Sequence, residues 1–217
     1  MRDNQPKHRQ LNRERTKLAR RKASRQGLPV FLIVCEGKET EPNYIQGLCE
    51  ENRINLASVH IVRGRGDTDA VSLVKRAQML FGKDKDFDRV FVVLDDDGYQ
   101  LDPAQKLAAK RLKTASGKII NVELIASNPC FEFWLLLHFE FTSRPFVSAE
   151  AIEALRAHLT NYEKADRRIF LQVASGLDMA MANARRLKRE LATGGARSPS
   201  VEMHLLVNEL LTMRPKV

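Results

Sequence analysis

The sequence predicts an α/β fold: a mainly parallel, Rossmann-like sheet with helices on both faces, followed by a C-terminal helical segment. Three observations predict it. Two short apolar runs rich in β-branched residues, Val30-Phe31-Leu32-Ile33-Val34-Cys35 and Val90-Phe91-Val92-Val93-Leu94, read as strands buried on both faces. Segments with helical spacing alternate with such runs, the pattern of parallel strands joined by helical crossovers. Each run also stops at an acidic cluster, Glu36-Gly37-Lys38-Glu39-Thr40-Glu41 after the first and Asp95-Asp96-Asp97-Gly98 after the second. Carboxyl ends of such strands are where open α/β sheets hold their ligands.

In order, residues 1–28 have almost no apolar residues beyond Leu11, Leu18 and Leu28 and read as a basic, flexible arm. The first strand covers about 30–35. A helix follows from about 41, with Glu41 and Pro42 in its first turn, where an anion and a missing N–H are both tolerated. Val59-His60-Ile61-Val62 is a second strand, and Arg63-Gly64-Arg65-Gly66-Asp67 a flexible basic loop. Asp69 to Phe81 is helical by the spacing of Val71, Val74, Ala77 and Leu80/Phe81. After the strand ending in Asp95, the pattern predicts a helix over roughly 102–113 and a strand from Ile119 to Ile125. These elements make an α/β core over 29–127.

At Asn128-Pro129 the pattern changes. Asn suits a helix cap and Pro a first turn, so a helix is expected there. The run from Cys130 to Phe139 is apolar nearly all round and reads as a buried helix. Helices over about 148–160, 177–192 and 200–213 complete a helical segment over 128–217. The one over 177–192 puts Ala180, Ala184, Leu187 and Leu191 on one face, with Arg185, Arg186, Lys188 and Arg189 over much of the rest. Gly194-Gly195-Ala196-Arg197-Ser198-Pro199 separates the last helix.

The formal net charge is +9, and it is unevenly placed. Residues 1–28 hold ten Lys/Arg against Asp3 and Glu14, or +8, leaving 26 basic and 25 acidic residues elsewhere. Such an arm suits nucleic-acid phosphates without specifying a sequence; a solvated tail is the plainer alternative. The apolar runs are far too short for a membrane span. No apolar stretch of signal-peptide form follows the basic N-terminus. Cys35, Cys49 and Cys130, odd in number and set among apolar residues, suit buried free thiols in a reducing cytoplasm rather than a zinc site or a disulfide framework.

The chemistry concentrates in the two acidic clusters. Like charges brought together repel unless a cation sits between them, and hard oxygen ligands select Mg²⁺ or Mn²⁺. Asp95 and Asp97, two apart on a strand, face one side and can share a metal while Asp96 points elsewhere. Glu36, from a neighbouring strand, is then near enough to move a proton, hold a metal-bound water or bind a second metal. Gly37 and Gly98 permit a phosphate to approach the backbone. A triple Asp alone would read as solvated turn acids; paired with Glu-Gly-x-x-x-Glu it favours a phosphoryl-transfer site.

Glu132 is the sole acid in an apolar helix, where a lone carboxylate is expensive unless paired or metal-linked. A site role and a salt bridge to an Arg or Lys both fit. His138, about 240° around that helix from Glu132, reads as structural. Lys164 could meet a phosphate, although a lone Lys on a helix is usually solvated. Phe133 and Trp134 read as core. Candidate nucleic-acid contacts are Arg13, Arg15, Arg20, Arg21 and Lys22 in the arm, with Lys38, Arg63 and Arg65 near the acidic clusters.

Glu36-Gly37 after one buried strand, with Asp95-x-Asp97 after another, resembles the Toprim domain of primases, type IA and II topoisomerases and OLD-type nucleases. More specifically, Ile33-Val34-Cys35-Glu36-Gly37-Lys38 and Thr40-Glu41-Pro42-Asn43-Tyr44 resemble the opening of the RloB (abortive-infection) family. Ser127-Asn128-Pro129-Cys130-Phe131-Glu132 with Trp134-Leu135-Leu136-Leu137-His138-Phe139 is similar to its middle motif. Tyr162-Glu163-Lys164 and Pro199-Ser200-Val201-x-x-His204 fit later segments more loosely. The resemblance implies a Toprim-like core, a prokaryotic defence role and an AAA-type ATPase partner. It places Glu36 as the Toprim glutamate and Asp95 and Asp97 as metal-binding aspartates. Glu39 is an insertion relative to the family's spacing, which leaves open whether Glu39 or Glu41 points into the site.

The resulting expectation is Mg²⁺- or Mn²⁺-dependent cleavage of DNA or RNA, tRNA included, by Glu36, Asp95, Asp97 and Glu132. Topoisomerase activity is disfavoured, because only Tyr44, Tyr99 and Tyr162 could transesterify and the chain is too small for a strand-passage gate. A non-catalytic nucleic-acid-binding or regulatory subunit is the main alternative, and a nucleotidyl transferase the third.

Overall fold

The computed structural model describes residues 28–65, 69–96, 101–194 and 198–215. Asp97, Gly98 and all but the last residue of the basic arm therefore lie outside the described residues. The fold centres on a five-stranded sheet in the order β2-β1-β3-β6-β7. Its strands are β1 (Phe31–Cys35), β2 (Val59–Val62), β3 (Arg89–Asp95), β6 (Val122–Asn128) and β7 (Ser200–Val201). The β1–β2, β1–β3 and β3–β6 pairs are parallel, and only β6–β7 is antiparallel.

Alternate residues of the strands serve two cores, as the two-residue period of a pleated strand requires. Phe31, Ile33 and Cys35 with Phe91 and Val93 face one side. There they meet α1 (Thr40–Glu51), α4 (Phe131–Leu136), α5 (Ser148–His158), α6 (Ile169–Val173), α7 (Leu177–Gly194) and α8 (Met203–Leu211). Leu32 and Val34 with Val90, Val92 and Leu94 face the other, against α2 (Ala70–Lys83) and α3 (Asp102–Ala108). Helices thus cover both faces of a mainly parallel sheet, as the buried runs predict. Phe133 and Trp134 are fully buried, and the three cysteines are buried free thiols.

Five elements differ from the expectation. The helix from 102 stops at Ala108, and Leu112–Lys113 pairs as β4 with β5 (Ile119–Ile120). The turn between them closes through Thr114, whose hydroxyl accepts the Lys118 N–H at 3.0 Å, and through Gly117 at φ 87°. The strand expected over 119–125 breaks at Asn121, and β6 continues to Asn128. Asn128 does not cap a helix: its side chain bonds Asp96 and Ser198, and the helix starts after Cys130. The last helix begins at Met203, because Ser200–Val201 adds to the sheet beside β6. The short α6 was not expected at all.

Candidate functional site

β1 and β3 are parallel neighbours, so Glu36 and Asp95 emerge at the same edge of the sheet. The Glu36 N–H donates to the Val93 carbonyl at 2.9 Å, extending the ladder one residue past β1. The Glu36 carboxylate accepts the Asp95 N–H through Oε2 at 3.0 Å. The structure thereby brings Glu36 and Asp95 together, with Glu132 in the same cleft. They line a cleft of about 320 Å³ whose other polar walls are Lys38, Glu39, Thr40, Glu41, Glu132 and Lys164.

Glu39 and Glu41 part ways. Glu39 is exposed and pairs with Arg63 at 3.3 Å. Glu41 is buried in the first turn of α1, and its Oε1 accepts the Gly37 N–H at 3.2 Å. A Cβ on Gly37 would lie 2.0 Å from Glu41 Oε2, so glycine is required there for the Glu41 carboxylate to fold back against the backbone. Gly64 has a comparable role: its N–H donates to the Gly37 carbonyl at 2.9 Å, and a Cβ would sit 1.7 Å from the Glu36 carbonyl oxygen. The stretch 63–65 is therefore seated on the Glu36–Gly37 backbone. Arg63 also donates to the Lys38 carbonyl and to Asn43 Oδ1, both at 2.8 Å, while Arg65 is exposed.

Glu132 forms the salt bridge that is one of the two readings the sequence leaves open. It lines the cleft and is paired: Lys164 Nζ lies 3.1 Å from Oε1, and the Tyr162 hydroxyl donates to the same oxygen at 2.9 Å. Burial alone would raise its carboxyl pKa, but the Lys164 charge and hydrogen bonds outweigh burial and hold it below the usual range. The segment carrying Lys164 is strapped to α1. The Thr40 hydroxyl donates to the Lys164 carbonyl at 2.7 Å, and Asn43 Nδ2 to the Ala165 carbonyl at 3.4 Å. His138 is structural, with Nε2 3.0 Å from the Tyr44 hydroxyl and Nδ1 3.1 Å from the Trp134 carbonyl.

Sequence reasoning missed Tyr162, and it did not connect Lys164 to Glu132. No spacing signal joins residues so far apart; only the loose Tyr162-Glu163-Lys164 resemblance pointed there.

Glu41 stands opposite to Glu132 electrostatically. Burial, with the Glu132 charge adding to it, raises its pKa above the ordinary carboxyl value. A folded pKa above the unfolded one means that the stabilising contribution is full below the unfolded pKa and is lost as pH rises through the folded one. Glu41→Gln keeps an acceptor for the Gly37 N–H and removes the charge. It is expected to raise stability at pH 8 by about 0.5–2 kcal/mol, the size of a typical stabilising substitution. The gain should shrink toward pH 4, as chemical melts at the two pH values would show.

A divalent cation fits the chemistry of this donor set. Mg²⁺ is commonly held by one or two carboxylates, with water and substrate phosphate completing its shell, and Glu36 and Asp95 supply two at one edge. Among the described residues no group of three His, Cys, Asp or Glu is placed to hold an ion, and Asp97 lies outside them.

Fold and cleft together define an α/β protein with a carboxylate-rich cleft at the carboxyl edge of a mostly parallel sheet. A model of the RloB-like protein family matches residues 31–210, and the chain belongs to that family. No curated protein and no solved structure matches it. No helix among the described residues is long and apolar enough to cross a membrane.

Proposed function

We propose that this chain is a Mg²⁺- or Mn²⁺-dependent nuclease with a Toprim-like core. It would cleave nucleic-acid phosphodiesters in the cytoplasm, in an anti-phage, abortive-infection setting beside an AAA-type ATPase. The observation that carries the reading is the juxtaposition of Glu36 and Asp95, from adjacent parallel strands, in a cleft that also holds lysines. Asp95 with Asp97 would hold the ion, with Glu36 as a further ligand or as the proton-transfer group. The ion, when bound, supplies electrostatic stabilisation of the phosphate.

The remaining steps belong to side chains. Glu36, oriented by the Asp95 N–H, takes a proton from the attacking water or returns one to the leaving oxygen as the P–O bond breaks. Lys164 has three ammonium donors, of which Glu132 engages one, so it can turn another toward a phosphate oxygen. Lys38 adds a second positive charge at the rim. Glu132 acts through Lys164.

Purified protein incubated with plasmid, single-stranded DNA, mRNA and tRNA should cut at least one of them with Mg²⁺ or Mn²⁺ and none in EDTA. The panel should be repeated with the neighbouring ATPase. The alternative is a non-catalytic nucleic-acid-binding or regulatory subunit. It would show a metal-dependent melting shift with no substrate cut.

The arm would supply affinity. Deleting residues 1–28 removes +8 of charge and no proposed catalytic residue. Each lost phosphate contact lowers the log–log salt slope by ~0.7–0.9, so a loss of about two to five units is expected from a partly engaged arm. Binding measured across a salt series gives the slope. An unaltered slope would mean that the arm makes no phosphate contacts.

A further inference from the structure

The cationic face of α7 lines no part of the cleft, and Arg185, Arg186, Lys188 and Arg189 are all exposed. Ala184 and Leu187 of the same helix are buried, which fixes its core side. Arg186 is already engaged. Its Nε lies 2.8 Å from Glu190 Oε1, and its guanidinium stacks 3.7 Å from the centroid of the Phe141 ring. Arg185 and Lys188 form no ion pair within 4 Å among the described residues. Three residues apart, they are neighbours about 60° around the helix and repel each other.

α7 packs on β7 and α8, and this sets where the pair sits. Burial, then the Lys188 and Arg185 charges, push the His204 imidazole down to about 4, so both cations reach the start of α8. Burial raises the Glu202 carboxyl pKa, and the nearby Lys188 charge opposes it. The Glu202 carboxylate turns toward the sheet, its Oε2 accepting the Ala126 N–H at 3.3 Å. Ala126 is the register partner of Leu94, one residue before Asp95. The pair therefore stands beside β6 and β7, at the edge of the sheet where Glu36 and Asp95 emerge. The basic arm joins the fold at Leu28, before β1, and so at the opposite edge.

We infer that Arg185 and Lys188 form a contact surface for the phosphate backbone of a nucleic acid, beside the carboxylate edge. The inference rests on the nucleic-acid reading of the cleft and adds where on this edge the strand is held. Carboxylates repel phosphates, and two cations without acid partners at the same edge offset that repulsion. Phosphate contacts of this kind release counterions and fix how a strand lies, while leaving its bases unread.

The test is binding of the full chain in EDTA to labelled single-stranded DNA and to labelled tRNA, by fluorescence anisotropy across a salt series. Arg185→Gln with Lys188→Gln removes two phosphate contacts, so the log–log slope should fall by ~1.4–1.8, twice the value per contact. Arg185→Lys with Lys188→Arg keeps both charges and should keep the wild-type slope. Arg186→Gln removes a cation that is already engaged and should also leave the slope unchanged. If melting shows that the double Gln variant does not fold, each single variant carries the test, with a fall of ~0.7–0.9. An unaltered slope in the folded Gln variants overturns the surface, and so does an equal fall per charge in Arg186→Gln. A wild-type chain that binds neither probe overturns the nucleic-acid reading itself, and this surface with it.

Discussion

Glu36→Gln should lower the rate of metal-dependent cleavage by ~10²–10⁴, the usual worth of a positioned acid or base. The substitution is nearly isosteric, and the amide oxygen can still accept the Asp95 N–H that the carboxylate accepts at 3.0 Å. The strand end should therefore stay in place. What disappears is a negative charge and a basic oxygen in a cleft shared with Asp95, Glu41 and Glu132. Removing one of several like charges should leave the metal-free melting temperature unchanged or slightly raised, which separates lost chemistry from lost fold. Asp95→Asn should weaken the Mg²⁺-dependent melting shift as well as the rate. Initial rates on whichever substrate the panel identifies, with melts in EDTA and in Mg²⁺, give both numbers. Undiminished cleavage in both variants would remove the mechanism.

The two strands that carry these residues were legible because each is buried on both faces. A run such as Val90–Leu94 has no polar alternation to confuse it, and the acids at its end stand out. Parallel pairing then needed only the intervening helix, whose Asp69 cap accepts the Ser72 N–H at 2.9 Å. Legibility failed where a few residues depend on distant partners. Ser200–Val201 is a strand because Ser127 and Asn128 present an open edge to it, and two residues carry no periodicity of their own. Asn128 resembles a helix cap in composition, but tertiary bonds to Asp96 and Ser198 occupy its side chain.

The site shows the same division. Glu36 and Asp95 follow from strand ends. Glycine at position 37 suggests room beside the backbone, and the Glu41 carboxylate occupies the space where its Cβ would be. That arrangement could not be read from spacing, because it depends on how the first turn of α1 folds back over the strand end. Glu132 stands out among its apolar neighbours in the sequence, but its partners come from a loop strapped across α1 by Thr40 and Asn43.

Lys164→Met is expected to reduce cleavage by about 10²–10³, comparable to losing one preorganised donor at a developing charge. It should also cost stability, by a separable route. Glu132 is 3 % exposed at its side chain and Lys164 64 %, so the buried partner is the one left stranded. The Tyr162 hydroxyl remains as a neutral donor, with the Cys130 thiol and a backbone N–H beside it. An uncompensated buried charge typically costs 3–5 kcal/mol, but solvent screening of the exposed ammonium reduces this to about 1–3 kcal/mol here.

The sign of the pH dependence follows from the same pair. In the wild type the Glu132 pKa is held down, so its contribution to stability is present above the unfolded carboxyl pKa and is lost as pH falls through the folded one. Without Lys164 that contribution is removed, and the variant should differ most from wild type near pH 8 and least near pH 4. Adding Glu132→Gln to Lys164→Met removes the stranded charge while an amide oxygen still accepts from Tyr162. The double variant should regain most of the stability and none of the cleavage. Recovery of cleavage in the double variant would show that Lys164 serves only to neutralise Glu132, and the phosphate would then have to be met by Lys38 and the metal alone.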